Sequence, residues 1–376
     1  MAAKLLATVD GVIDLVNKSC VDDEKETVSP LRGARGYEDQ SFAKLVTKVD
    51  AKTTNVSQIP MLGLGTWLSD KGKVATAVEY ALRIGYRHID AAAAYGNEKE
   101  VGQGIKAALD AGIKREDIFV TSKLWNTKHH PDDVVPALKQ TLSDLGLEYV
   151  DLYLVHWPLT LKRGANPFPK REDGTLDYGE IIPHEDTWKG MEECVRLGLA
   201  KHIGLSNFNA AQIDNVLKHC KIRPTVLQCE GHPYLAHNAL RKYCKEHQMV
   251  LAAYSPLGNP ARPQAWDHAL KRVLDEPVLH EMANALGVSV PDICIRYQID
   301  RGVVVIPKSV TPTRILSNFQ VWGFKLNEEQ LKQINALDKH QRYGIPTILD
   351  ADGNRIIRDG DHPFWPWNDT PYALKQ

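Results

Sequence analysis

Cysteine is scarce: six residues, at positions 20, 194, 220, 229, 244 and 294, in a chain of 376. None forms a CxxC pair and none has histidines at zinc-finger spacing, so neither a disulfide framework nor a structural zinc site is expected, and a reduced, intracellular protein is the simplest reading. No apolar run approaches the roughly 18–20 residues needed to span a bilayer. Net charge is almost absent, −1 from 46 basic and 47 acidic residues, and there is no long polybasic run. Neither a nucleic acid nor a membrane surface is therefore an expected partner. A GxGxxG nucleotide loop is also missing; Gly102-Gln-Gly104-Ile-Lys-Ala107 matches a looser form but falls inside a helix-period segment rather than at a strand-to-helix turn.

The N-terminal stretch is acid-rich, with Asp10, Asp14, Asp22, Asp23, Glu24 and Glu26, which argues against an Arg-rich transit peptide. Leu5, Val9, Val12, Ile13 and Val16 stand at helical spacing, and a polar linker through Gln40 follows. Residues 1–42 read as an extension of unassigned role, and residues 43–376 as the main domain. Two glycosylation triplets, at Asn55 and Asn368, carry no weight without a secretory signal.

From Ile59 onward a pattern repeats. Eight short runs rich in apolar and β-branched residues, IPMLGLGTW, RHIDAAAAY, IFVTSK, VDLYLVH, HIGLSN, TVLQCE, MVLAAYS and VVVIPKS, alternate with helix-period segments, several closed by glycine. Strict alternation of strand and helix implies a parallel sheet, and eight units over about 250 residues imply a closed (β/α)8 TIM-type barrel. Asp90, Lys123 and His156 each end a strand-like run, at equal intervals of 33 residues. They should therefore share the barrel's C-terminal rim, where such folds carry their chemistry.

Tyr95 follows Asp90 by five residues and can lean over that rim. An ordinary phenol, with a pKa near 10, is a weak acid; a neighbouring Lys123 ammonium would lower it, and Asp90 would hold the lysine charged. His156 could orient a carbonyl oxygen. A proton donor beside a carbonyl holder calls for a hydride from a cofactor. The anion site best suited to that cofactor follows the eighth run, where IPKSVTPTRILSNF offers Lys308, Ser309 and Thr311, then Arg314 in the first turn of a helix. Lysine and arginine together suggest an extra phosphate, hence NADPH over NADH. A metal-dependent barrel hydrolase would need more His or Asp ligands at strand ends than His156 and Asp90.

The segments HIDAAAAYGNEKEVG, VTSKLWN, DLYLVHWP, GLSNFN, EGHPYL, AYSPLG and IPKSVTPTRI, in this order across residues 59–372, resemble the aldo-keto reductase family. The resemblance implies the catalytic set Asp90, Tyr95, Lys123 and His156. It implies NADPH/NADP+ held by Thr66, Trp67, Ser206, Asn207, Gln228, Tyr254, Ser255, Leu257, Lys308, Ser309, Val310, Thr311, Arg314 and Asn318. Trp67 and Trp157 would wall the substrate pocket. The tail IPTILDADGNRIIRDGDHPFWPWNDTPY is similar to that of the aldehyde reductase subgroup and forms a C-terminal substrate loop. There Arg358 would pair with carboxylate-bearing aldehydes such as glucuronate. Ala91 and Ala94 are smaller than the family's usual residues, Ser317 is shorter, and Trp365 stands where the subgroup has tyrosine. These features together imply a cytosolic, monomeric, metal-free aldehyde reductase with a small-molecule partner. The alternative is a non-catalytic NADPH-binding barrel serving as a regulatory or structural subunit.

Overall fold

The computed structural model describes residues 41–48, 54–263, 269–350 and 352–367. The expected N-terminal helix and linker and the Asn368 triplet lie outside them, as does most of the 1–42 extension. The described residues open with an antiparallel strand pair, β1 (Phe42–Lys48) with β2 (Thr54–Pro60), from Phe42↔Pro60 to Lys48↔Thr54. This pair divides the first apolar run: Ile59 and Pro60 end β2, while the barrel strand β3 is Leu64–Gly65. It also crosses the expected boundary at residue 42.

Seven further strands follow: β4 (His88–Asp90), β5 (Phe119–Leu124), β6 (Val150–Val155), β7 (Ala200–Ser206), β8 (Val226–Glu230), β9 (Val250–Tyr254) and β10 (Val304–Ile306). With β3 they form one sheet in sequence order, every neighbouring pair parallel. The circle closes through isolated bridges, Leu62↔Val305 and Gly65↔Lys308. Glycine is required at this seam, because a Cβ on Gly65 would lie 2.9 Å from the Ile306 carbonyl oxygen. The expected (β/α)8 architecture is present.

Helices cover the outside. In α1 (Val74–Ile84) the buried residues Val74, Ala77, Val78, Ala81 and Leu82 recur with the helical period, and Gly85 ends the helix at φ +120°. The glycines of α2 (Glu98–Asp110) are packing glycines. A Cβ on Gly102 would meet the Leu145 carbonyl at 2.4 Å, and one on Gly104 the Ala75 carbonyl at 2.4 Å. In α3 (Pro131–Leu145), proline stands at the first turn and left-handed Gly146 at the C-cap. Then come α4 (His184–Arg196), α5 (Ala210–His219), α6 (Asn238–Glu246), α7 (Pro277–Leu286), α8 (Val290–Asp300), α9 (Pro312–Phe319) and α10 (Glu328–Asn335). The main core joins strands to helices. A separate aromatic cluster, Leu159, Ile345, Ile357, Trp365 and Trp367 with Trp157 and Phe364, forms where the C-terminal segment folds back over the rim. That segment carries the small hairpin β11 (Thr347–Leu349) and β12 (Arg355–Ile357).

Candidate active site

The polar ends of β4, β5 and β6 meet at one rim. Lys123 is fully buried, and its ammonium donates to Asp90 Oδ1 at 2.5 Å, to the Ala91 carbonyl at 2.9 Å and to the Tyr95 hydroxyl oxygen at 3.2 Å. An ammonium has three protons, so all three are used. The other carboxylate oxygen, Asp90 Oδ2, accepts from Gln228 Nε2 at 2.8 Å. Tyr95 is delivered by a single 3-10 turn, Ala93–Tyr95, stopped by left-handed Gly96 at φ +67°. The His156 ring lies edge-on to that of Tyr95, centroids 5.7 Å apart, and against Trp125 at 5.3 Å. Tyr95 and His156 face a cleft of about 290 Å³, whose walls include Trp67, Ala94, Trp125, Trp157 and Phe168. Thus the four residues anticipated from the sequence converge.

The charge balance differs from the expectation for the phenol. Burial, reinforced by the Asp90 carboxylate, pushes Tyr95 well above the ordinary phenol value rather than below it. The expected lowering gave Asp90 only the role of holding the lysine charged; at 2.5 Å its carboxylate also offsets that charge, and desolvation disfavours the phenolate. Tyr95 therefore rests as a protonated acid. Burial also draws Lys123 down, opposed by Asp90 and Glu98. His156 is held well below the usual histidine range by burial, with Lys123 and His129 adding repulsion, so its ring is neutral near pH 7. Its Nδ1 is buried without a hydrogen-bond partner, which leaves Nε2 to meet a ligand.

Of the remaining anticipated residues, Thr66, Trp67, Ser206, Asn207, Gln228, Tyr254, Ser255, Leu257 and Lys308 line the same cleft. Thr66 donates through Oγ1 to the Asp90 carbonyl at 2.9 Å, tying β3 to β4. Asn207 has left-handed backbone, φ +66°, at the end of β7. Its Nδ2 donates to the His156 carbonyl at 3.0 Å and to Ser206 Oγ at 3.2 Å, and its Oδ1 accepts from the Tyr254 hydroxyl at 2.9 Å. The amides of Asn207 and Gln228 are thus engaged within the protein, fixing His156, Tyr254 and Asp90 in place. Ser309, Val310, Thr311 and Arg314 lie beyond Lys308 at the start of α9, outside the cleft lining, and Asn318 is buried farther along that helix. Lys308 spends one ammonium proton on the Leu68 carbonyl at 2.8 Å.

Arg358 and Trp157 line the cleft on the side covered by the C-terminal segment. The guanidinium forks onto Asp359, Nε donating to Oδ1 at 2.8 Å and Nη2 to Oδ2 at 2.6 Å. Trp157 stacks on Trp365 at 6.5 Å and meets Trp367 edge-on at 5.3 Å. Sequence reasoning missed Trp125, Asn126, Phe168, Asn259 and Asp359 as cleft residues. Trp125 and Asn126 directly follow Lys123 at a strand end, a usable signal; Phe168 sits in a long insertion and had none. Among the described residues no group of three His, Cys, Asp or Glu side chains is placed to hold a metal.

A parallel barrel whose strand ends set a protonated phenol, a buried ammonium, a carboxylate and a neutral imidazole around one cleft is an oxidoreductase barrel for carbonyl groups. The aldo/keto reductase family model matches residues 61–339. Similar proteins include aldo-keto reductase family 1 member A1 of Rattus norvegicus, 51% identical over 84% of this chain and 96% of the relative. The protein of the same name from Xenopus tropicalis is 52% identical over 87% of this chain and all of the relative. Among solved structures, the aldose reductase from Schistosoma japonicum superposes with a TM-score of 0.75 at 41% identity, covering 83% of this chain and 96% of that one. The chain belongs to the aldo/keto reductase family and is an NADP-dependent oxidoreductase acting on aldehydes.

Proposed function

We propose that this protein reduces aldehydes, including carboxylate-bearing sugar aldehydes such as glucuronate, to primary alcohols with NADPH, and that Tyr95 donates the proton. The observation that carries the reading is the Lys123 ammonium, saturated by Asp90, Ala91 and Tyr95. Because Lys123 donates to the phenol oxygen, it cannot accept the phenol's proton, and that proton is left to point into the cleft. A carbonyl oxygen placed there receives it while His156 Nε2 donates a second hydrogen bond and orients the substrate. As negative charge develops on that oxygen, the nearby buried ammonium stabilises it. Burial of Lys123 and of the Asp90 carboxylate that accepts from it keeps the ammonium fixed before the substrate arrives.

The residues present fit the cofactor. The polar side chains of Ser206, Asn207 and Gln228, the Tyr254 ring and the Lys308 ammonium line the same cleft as Tyr95. NADPH supplies the hydride when bound. In this reading Tyr254 stacks on the nicotinamide, Ser206 with the free faces of the Asn207 and Gln228 amides meets its carboxamide, and Ser255 and Leu257 cover the pyrophosphate. Lys308, Ser309, Val310, Thr311, Arg314 and Asn318 take the adenosine phosphate end, and Thr66 and Trp67 border the cleft. Trp157 walls the substrate, and Arg358 meets a substrate carboxylate. The proposed enzyme is a cytosolic monomer; among the described residues no helix is long and apolar enough to cross a membrane.

The test is Tyr95→Phe, assayed for NADPH binding by fluorescence and for turnover of an uncharged aldehyde. Binding unchanged with turnover reduced by about 10²–10⁴ is expected for loss of the proton donor alone; wild-type turnover would overturn the mechanism.

A further inference from the structure

The Arg358 fork suggests a second layer of substrate selection, which rests on the reading that Arg358 meets a substrate carboxylate. Asp359 occupies the Nε and Nη2 edge of the guanidinium, leaving Nη1 and one proton of Nη2 without an acceptor among the described residues. The two partners are unequally exposed: the Arg358 side chain is 33% accessible and that of Asp359 only 3%. Asp359 is wedged from behind, its Oδ1 lying 3.5 Å from the Tyr178 hydroxyl, which donates to Asp361 Oδ1 at 3.0 Å. Both Arg358 and Asp359 line the cleft, so a ligand there meets a cation together with its paired, little-exposed anion, with Asp361 as a further negative group nearby.

We infer that Asp359 is a specificity-determining positioning residue: it aims the open edge of Arg358 at the cleft and weakens its pull on anionic substrates. A carboxylate docking at Arg358 is attracted by the guanidinium and repelled by the paired Asp359 carboxylate, which offsets part of the attraction. An uncharged aldehyde feels neither charge. Asp359 thus narrows the gap between the two substrate classes, so that one cleft serves both.

Asp359→Asn keeps the shape and one acceptor for the guanidinium while removing the charge. The expected result is a fall of at least fivefold in KM for glucuronate with kcat unchanged. KM for an uncharged aromatic aldehyde should stay within twofold, and its turnover reports correct folding. Should the asparagine variant fail to fold, Asp359→Ser gives the same comparison. Combining Asp359→Asn with Arg358→Ala should abolish the gain. An unchanged or raised KM for glucuronate in Asp359→Asn, while Arg358→Ala alone still raises it, would overturn the attenuation and leave the carboxylate site standing. Equal effects of Arg358→Ala on both substrates would overturn the carboxylate site itself, and this inference with it.

Discussion

The two sides of the cleft are built on opposite principles. On the barrel side, Asp90, Lys123 and His156 hang from strands whose neighbours are fixed by ladder hydrogen bonds, and the charged atoms of Asp90 and Lys123 are partnered and buried. On the C-terminal side, a short hairpin and a cluster of indole rings, Trp157, Trp365 and Trp367, close over the mouth without belonging to the barrel sheet. A preorganised electrostatic set tolerates little displacement, so it sits on the rigid frame. A wall that decides which aldehyde enters can be exchanged loop by loop without disturbing the frame.

Breaking the rigid side should have the largest effect. Lys123→Met leaves Asp90 buried without its cation and takes the donor from Tyr95; the expected loss is about 3–5 kcal/mol of unfolding free energy, measured by urea titration. In the fraction that still folds, turnover of an uncharged aldehyde should drop at least about a hundredfold. Retained stability would mean that Asp90 finds another partner. Breaking the loop side should be milder and of a different kind. Trp365→Ala removes the ring stacked on Trp157 and empties part of the aromatic cluster, so stability should fall by about 3 kcal/mol or less, as for a peripheral core cavity. KM for bulky aldehydes should rise while kcat changes little, and an equal fall in kcat would erase the distinction between the two sides.

A third comparison sharpens the rigid side through pH. Glu98 begins α2, directly after the turn that carries Tyr95, and its buried carboxylate accepts from Ser122 Oγ at 2.5 Å and Thr141 Oγ1 at 3.1 Å. Burial raises it to about 7 from an ordinary 4.5. A carboxyl whose folded value lies above its unfolded value binds more protons when folded, so stability declines as pH climbs from 4.5 to 7 and is level above. Glu98→Gln should therefore gain on the wild type across that window, by on the order of 2–3 kcal/mol, in parallel denaturation curves. A constant difference at all pH values would show that burial does not raise Glu98. The smallest effect expected is in the activity profile: with Tyr95 protonated and His156 neutral, kcat with an uncharged aldehyde should be flat from pH 6 to 9. An inflection near 6.5 that His156→Gln removes would refute the neutral imidazole.

The eight barrel strands were readable because apolar and β-branched runs alternate regularly with helix-period segments, and the interval of 33 residues set Asp90, Lys123 and His156 on one rim. The opening strand pair was hidden. FAKLVTK and TNVSQIP lack clean alternation, and the second merges into the first barrel run. The sign of the shift at Tyr95 was lost because a sequence names neighbours but not their desolvation, and because Asp90, expected to hold the lysine charged, also raises the phenol. Asp359 escaped notice as the partner of Arg358 because adjacent side chains on a strand point to opposite faces. Only the turn that follows β12 at Ile357 folds the two together.

Gly65 and Lys308 bridge the first and last strands at the barrel seam, and the same lysine's ammonium reaches across to the Leu68 carbonyl. Every other junction in the cylinder is a ladder between named strands; this one is made by isolated bridges with the backbone bonds Gly63 N–H to Val305, Val305 N–H to Met61 and Gly65 N–H to Pro307. A ligand that grips Lys308 on one flank and Trp67 on the other therefore acts as a clasp, turning its own affinity into resistance of the cylinder against springing open along that line.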